Sequence, residues 1–218
     1  MVDVAVNHLR AANGSGTLVL EQFRTSFGIP DIIHLQYDPE KLEARLHTTP
    51  SPTDAVTRDS ARVAALISHS RISEPNAARA LNFSARRLAK ALTPLVSRNV
   101  LAVSGDDIRV RELQQDFLLE SITVYEAKLK NRGRAIAQAQ RHLWFANSSL
   151  ILLPVLSEAL TERSLIECRA AGVGLATVDR ENVKVVFNPS SLRVAINWMT
   201  WYLNELLFEI KSLEANAV

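Results

Sequence analysis

Cysteine is almost absent from this chain. A single one, Cys168, in 218 residues excludes an internal disulfide framework and fits a reducing compartment. Long apolar runs are lacking too. The most apolar stretch, "LILLPVL", is far too short to span a bilayer and contains Pro154. The opening "MVDVAVNHLR" has no basic region followed by a long apolar run, so no secretory signal is read there. Net charge is only +2, which by itself selects no partner. There is no internal repeat and no low-complexity tract. These absences predict a cytoplasmic protein with no membrane segment.

What is present is an ordinary globular composition, 47% hydrophobic and 22% charged, long enough for one domain or a domain plus a small module. Residues 3–12 fit a helix that ends at the breaker cluster "NGSG". "TLVLEQFR" (17–24) and "DIIHLQY" (31–37) read as two strands of a hairpin around "TSFGIP". "DPEKLEARLHTTPSPTD" follows, and its Thr-, Ser- and Pro-rich second half reads as a linker. Residues 54–111 then hold three helical patterns and two short strands around a Gly-Asp turn. Pro75 suits the first turn of the second helix, and Ser84 suits the cap of the third. Three helices followed by a β-hairpin is the order of a winged helix-turn-helix. Ten Lys/Arg against five Asp/Glu give this segment +5, leaving −3 for the rest of the chain.

Beyond it, "ELQQDFLLE" reads as a short helix or bridge, and "RGRAIAQAQRHLWFA" as a helix. "SLILLPV" fits a strand buried on both faces, and "SEALTERSLIECRAAG" a helix closed by Gly172. "VGLATVD" and "NVKVVFN" are two more strands. A long final helix is expected from Leu192, after Pro189 and Ser190–Ser191. The expected division is therefore a core in two parts, 1–50 and 112–218 with the C-terminal helix, with 54–111 inserted between them.

The stretch "SITVYEAKLKN" (121–131) has strand character, yet it places Glu126 and Lys128 two residues apart, on one face. Read alone, this is an exposed ion pair contributing roughly 0–1 kcal/mol. The first hairpin supplies further acids. A turn centred on Ser26 would set Glu21 opposite Asp31, with their side chains on one face. Glu21, Asp31, Glu126 and Lys128 would then converge on one edge of one sheet.

"GIPD" before a strand, then "YEAKLKN", then "RAIAQAQRHLWFA", resembles the PD-(D/E)XK nuclease-like superfamily. Pro30-Asp31, Glu126-Ala127-Lys128 and Gln138 carry the resemblance, and "AAGVGLATVD" is similar to a late helix-to-strand passage of such domains. It covers roughly 1–45 and 112–190 and departs from the pattern in the long interval between Asp31 and Glu126, which requires the winged helix to be a true insertion. The resemblance implies an α/β fold, a restriction-endonuclease-like mixed sheet flanked by helices. It implies Mg²⁺ (or Mn²⁺) held by Asp31 and Glu126, with the Ala127 carbonyl as a further candidate, and the expected hairpin register adds Glu21 as another metal candidate. It implies Lys128 positioning or deprotonating the attacking water, and Gln138 reaching the site from the next helix.

Within 54–111, Arg86, Arg87 and Lys90 of the third helix are candidates for a DNA groove, and Arg109 and Arg111 for backbone contact from the wing. The bland alternative is a solvated charged face or a protein-docking module. His34, His69 and His142 lack metal-ligand spacing and read as surface or packing residues, and Cys168 as inert. The final helix is apolar on nearly every face, through Trp198, Trp201, Phe208 and their neighbours. Either it is buried, or it packs against a second subunit, and the expectation is a homodimer with one of those three aromatics at its interface. The functional expectation is a metal-dependent DNA endonuclease. A catalytically silent DNA-binding or regulatory protein of the same fold, and a protein-interaction module, are the alternatives.

Overall fold

The structure, a computed structural model, describes residues 1–217 except 13, 15, 27, 50–53, 69–71, 106, 112–116, 181 and 190–192. The heart of the expected linker, His69, the first half of the expected bridge and Ser190–Ser191 therefore lie outside the described residues. The chain divides into two compact units, Met1–Tyr37 with Glu120–Ala195, and Asp38–Leu119 with Ile196–Val218.

The first unit is α/β. It contains α1 (Val2–Ala12), β1 (Thr17–Glu21), β2 (Ile32–Tyr37), β6 (Leu119–Ala127), α6 (Arg132–His142), β7 (Ser148–Pro154), α7 (Glu158–Ala171), β8 (Gly174–Val178) and β9 (Val183–Phe187). The six strands form one sheet in the order β1-β2-β6-β7-β8-β9. β6, β7 and β8 are parallel, while β1 and β9 run antiparallel to β2 and β8. Gln36, late in β2, bonds Ser121, early in β6, and Asp31, just before β2, bonds Ala127 at the end of β6. β2 and β6 are thus antiparallel, the sheet is mixed, and the start of β2 lies at the carboxyl end of β6.

The two faces of the sheet are covered by different helices. On one, Ala5 and Val6 of α1 pack on Ile32, Tyr125, Leu150, Leu152, Ala176 and Val178. On the other, Ala135, Ile136 and Ala139 of α6 and Cys168 of α7 pack on Ile151, Leu153 and Leu175. Alternation along each strand produces this split, since odd and even residues of β6, β7 and β8 serve opposite cores. Burial on both faces also explains the continuous apolar run of β7. Burial pushes the Cys168 thiol up to about 11, consistent with an inert residue.

The close approach of β7 and β8 depends on Gly174. A Cβ there would lie 2.5 Å from the Leu150 side chain, its partner in register. Gly172 closes α7 at φ 68°, the left-handed conformation that a glycine adopts without a Cβ penalty.

The second unit holds α2 (Pro39–Thr48), α3 (Arg58–Ile67), β3 (Ile72–Ser73), α4 (Glu74–Leu81), α5 (Ala85–Ser97), β4 (Leu101–Ser104), β5 (Asp107–Val110) and α8 (Trp198–Asn216). β4 and β5 form a hairpin, and β3 joins it through β5. α4 ends at Asn82 in a left-handed conformation, and Ser84 caps α5 by accepting from Arg87 N. Ala61, Ala64, Leu88, Leu95, Ile108 and Trp201 are among the buried residues of one apolar cluster.

Several expectations need correction. α2 occupies the segment between the expected hairpin and linker. Asp38 caps it, accepting from Glu40 N and Lys41 N at 3.0 and 3.1 Å, and Pro39 opens it. β1 stops at Glu21 because Gln22 turns to φ 47°. The last helix begins at Trp198 rather than Leu192, and a capping box between Asn197 and Thr200 sets its start. It also clusters with the second unit rather than with the sheet, packing on α3. Trp201 and Phe208 are fully buried inside that unit, so neither can stand at a subunit interface. Trp198 is half-buried. The breadth of the apolar surface of α8 has its cause inside the unit.

Candidate functional site

The carboxyl end of β6 carries the functional candidates. Tyr125 belongs to the α1 side, so Glu126 faces α6, and Lys128, one residue past the strand, continues the same parity. The Lys128 N–H still donates to Leu152 O at 3.1 Å, which holds the chain in sheet geometry through that point. Asp31 precedes Ile32, an α1-side residue, and therefore also faces α6. Strand alternation, anchored by Tyr125 and Ile32 on the α1 side, thus carries all three side chains to one face of one edge.

The contacts close the arrangement. Asp31 Oδ2 accepts from Ala127 N at 2.7 Å. Lys128 Nζ lies 3.5 Å from Asp31 Oδ2 and 3.3 Å from Glu126 Oε2. The Asp31 and Lys128 side chains are about a quarter exposed, whereas Glu126 is wholly buried. Two carboxylates against one ammonium leave one net negative charge at an edge that solvent reaches. Burying a carboxylate is costly unless it is bonded. Glu126 is bonded on both oxygens, because its Oε1 sits 2.9 Å from His142 Nε2 of α6.

His142 is expected from sequence to be a surface or packing residue, and the structure instead places it on Glu126. A signal was present. Ala135, Ala139 and His142 follow the i, i+4, i+7 spacing of a buried stripe, and a histidine on such a stripe must find a partner.

The other candidates fall elsewhere. Glu21 pairs with Ile32, not Asp31, a one-residue change of register that sends it to the opposite face. There it is exposed and bonded to Arg10 of α1 at 3.0 Å, so it does not join the site. Gln138 lies one turn before His142 on α6. Its carboxamide oxygen is buried without a partner and makes no bond to Asp31, Glu126 or Lys128. Ala127 is placed between the two acids, with its N–H committed to Asp31. Burial pushes the neighbouring Tyr125 hydroxyl up to about 12, which removes it as an acid–base group near neutral pH.

Asp31 and Glu126 are the carboxylates of this edge that could serve as oxygen ligands to a hard divalent cation. Mg²⁺ takes one or two carboxylates and completes its shell with water and substrate oxygens. Among the described residues no group of three or more His, Cys, Asp and Glu side chains is arranged as an all-protein metal cage.

In the second unit the five basic candidates differ in availability. Arg86 and Lys90, one turn apart on α5, and Arg109 on β5 are exposed and form no ion pair among the described residues. Arg87 is committed. It grips Asp59 with two bonds of 2.7 and 2.8 Å and stacks over Phe83 at 4.2 Å. That guanidinium holds the Asp59 carboxyl below its ordinary range. Arg111 donates to Asn99 Oδ1 at 2.7 Å. Among the described residues no helix is long and apolar enough to cross a membrane.

Comparison with family models, curated proteins and solved structures gives no significant match for this chain.

Proposed function

We propose that this protein is a cytoplasmic, metal-dependent DNA endonuclease, with a restriction-endonuclease-like core in the first unit and a winged-helix module in the second. One observation carries the reading: Asp31, Glu126 and Lys128, far apart in sequence, meet at one solvent-reached sheet edge. Two carboxylates and an ammonium at such an edge are the groups that phosphodiester hydrolysis needs.

Asp31 and Glu126 would hold Mg²⁺, or Mn²⁺ in its place, with the Ala127 carbonyl as a further oxygen donor. When bound, the ion acidifies its water and neutralises charge on the phosphate. The Lys128 ammonium offsets charge on a phosphate oxygen and orients water. Arg86, Lys90 and Arg109 supply phosphate contacts. Arg87 contributes by bracing α5 against Asp59.

A second reading has its own observation. Lys128 already spans both carboxylates, and a network satisfied in this way suits a silent DNA-binding relative. The two part cleanly in one experiment. End-labelled duplex, nicked, branched and single-stranded DNA are incubated with the protein in Mg²⁺, Mn²⁺ or EDTA. Cleavage in metal that Asp31→Asn, Glu126→Gln and Lys128→Met each reduce by at least a hundred-fold, with melting curves preserved, is the expected result. Binding without cleavage of any form leaves the silent reading.

A further inference from the structure

Two exposed apolar side chains stand beside Asp31, Glu126 and Lys128. Leu129, the residue after the site lysine, is 74% exposed, the most of any large apolar side chain among the described residues. Ile29, two residues before Asp31, is 50% exposed. Single exposed aliphatics are ordinary on a protein surface and need no cause. These two belong to chain segments that meet at the site, since Asp31 Oδ2 accepts from Ala127 N at 2.7 Å and lies 3.5 Å from Lys128 Nζ.

The turns that carry them are held by hydrogen bonds. Before Leu129, the Lys128 N–H donates to Leu152 O at 3.1 Å. After it, Asn131 at φ 61° caps α6, its side chain accepting from Arg134 N at 3.2 Å. On the other segment, Gly28 O accepts from Thr25 N at 2.9 Å and from Thr25 Oγ1 at 2.8 Å, and Pro30 is buried. The backbone therefore keeps both aliphatic tips in water, where only an apolar partner relieves their exposure. The charges around the tips select that partner. Lys130 and Arg134 are exposed and form no ion pair among the described residues. Arg132, between them, is committed to Glu167 at 2.7 and 2.8 Å. With Lys128 this edge carries three available cations against two carboxylates, which favours a polyanion.

A polyanion that also offers apolar faces is a nucleic-acid strand with unpaired bases, because in a duplex each base face is covered by its neighbours. An anionic bilayer fits less well, since its headgroups would press on the Asp31 carboxylate. We propose that Ile29 and Leu129 are the substrate-selecting residues of this site and that its substrate is DNA with an unpaired stretch at the point of cleavage, such as a fork or a single strand. The two tips pack on the face of an unpaired base beside the phosphate at Lys128, while Lys130 and Arg134 meet the flanking phosphates. An intact duplex must first unstack a base step to make the same contact, and it binds more weakly by that cost. That the strand is DNA and that it is cut rest on the function proposed above, whereas the apolar tips and the free cations do not.

The test measures binding in EDTA, where nothing is cut. Two fluorescein-labelled DNAs are titrated by anisotropy: a fork, made of a duplex arm ending in two unpaired tails, and the same arm continued as paired DNA. The arm is common to both, so contacts of the second unit with duplex cancel in the ratio of affinities. Wild type should favour the fork by at least about ten-fold, the scale of burying one leucine side chain. Ile29→Ser/Leu129→Ser should bring the ratio near one without changing the salt slope, because no charge is removed. Ile29→Ser/Leu129→Met, which keeps a long apolar side chain, should restore most of the preference. Lys130→Met/Arg134→Met should instead lower the salt slope on the fork, by about 0.7 for each lost phosphate contact. A wild-type ratio near one overturns the proposal, and so does a ratio that the serine pair leaves unchanged. Wild-type binding to phosphatidylserine–phosphatidylcholine vesicles that the serine pair abolishes would also overturn it, by giving the tips to a membrane. A fork preference without cleavage in Mg²⁺ removes the nuclease reading alone, while cleavage with a ratio near one removes this proposal alone.

Discussion

His142 Nε2 stands 2.9 Å from Glu126 Oε1, and both side chains are buried. His142 Nδ1 is also buried and has no partner. Nε2 is therefore the ring atom that meets the carboxylate. That bond fixes the rotation of the carboxylate and aims Oε2 at Lys128 Nζ. His142 acts through Glu126 and is a positioning residue.

Loss of such a support ordinarily costs about 10–100-fold in metal affinity or activity. For His142→Ala the expected outcome is a rise of that size in the Mg²⁺ concentration giving half-maximal cleavage, with a loss of roughly 1–3 kcal/mol in stability from the orphaned carboxylate oxygen. His142→Gln, which keeps an N–H donor, should recover much of the Mg²⁺ response. A Mg²⁺ midpoint that stays at the wild-type value in His142→Ala would reduce the histidine to packing.

The basic residues of the second unit make a separate prediction. Arg86, Lys90 and Arg109 are free among the described residues, whereas Arg87 is clamped to Asp59. Each phosphate contact removed lowers the slope of log affinity against log salt by about 0.7–0.9. Arg86→Ala/Lys90→Ala/Arg109→Ala should therefore flatten the slope for DNA binding by about two to three. Arg87→Ala should leave the slope near wild type. An unchanged slope in the triple variant would assign this unit to protein contacts, and a large change from Arg87→Ala alone would place that guanidinium on DNA.

Much of the site was legible because strand parity is simple. Glu126 and Lys128, two residues apart on one strand, share a face by alternation alone, whereas Asp31 joins them through the register that sets Ile32 on the α1 side. Glu21 was misplaced because hairpin register depends on the turn, and a one-residue slip changes the face. His142 was hidden because its partner lies on another element, sixteen positions away in sequence. α2 escaped notice because its apolar face is thin: Leu42 is buried beside Arg45, an arginine that looks solvent-bound in sequence. That burial becomes intelligible only with α8 in view, since Arg45 Nη2 bonds Glu205 Oε2 at 2.7 Å.

Glu205 also explains why the final helix belongs inside its unit. Its side chain is fully buried, with Arg45 at 2.7 Å and the wholly buried Arg98 at 3.7 Å. Arg98 is held further by Glu209 Oε2 at 3.0 Å and by the Asp54 carbonyl at 2.7 Å. One turn before Glu205, Trp201 donates its indole N–H to Ser68 Oγ at 2.8 Å and meets the Phe117 ring edge-on, with centroids 5.5 Å apart. Removing one member of a buried pair strands the other charge, typically at 3–5 kcal/mol, and truncating a buried tryptophan costs about as much. Glu205→Ala and Trp201→Ala should each lower stability by about 3–5 kcal/mol in urea unfolding. An interface role would show otherwise: destabilisation would shrink at low protein concentration and the assembly mass would fall. The expected result is an unfolding midpoint independent of concentration from 0.5 to 50 µM, in wild type and in both variants. A midpoint that climbs with concentration in wild type and is flattened by Trp201→Ala would return α8 to a subunit interface.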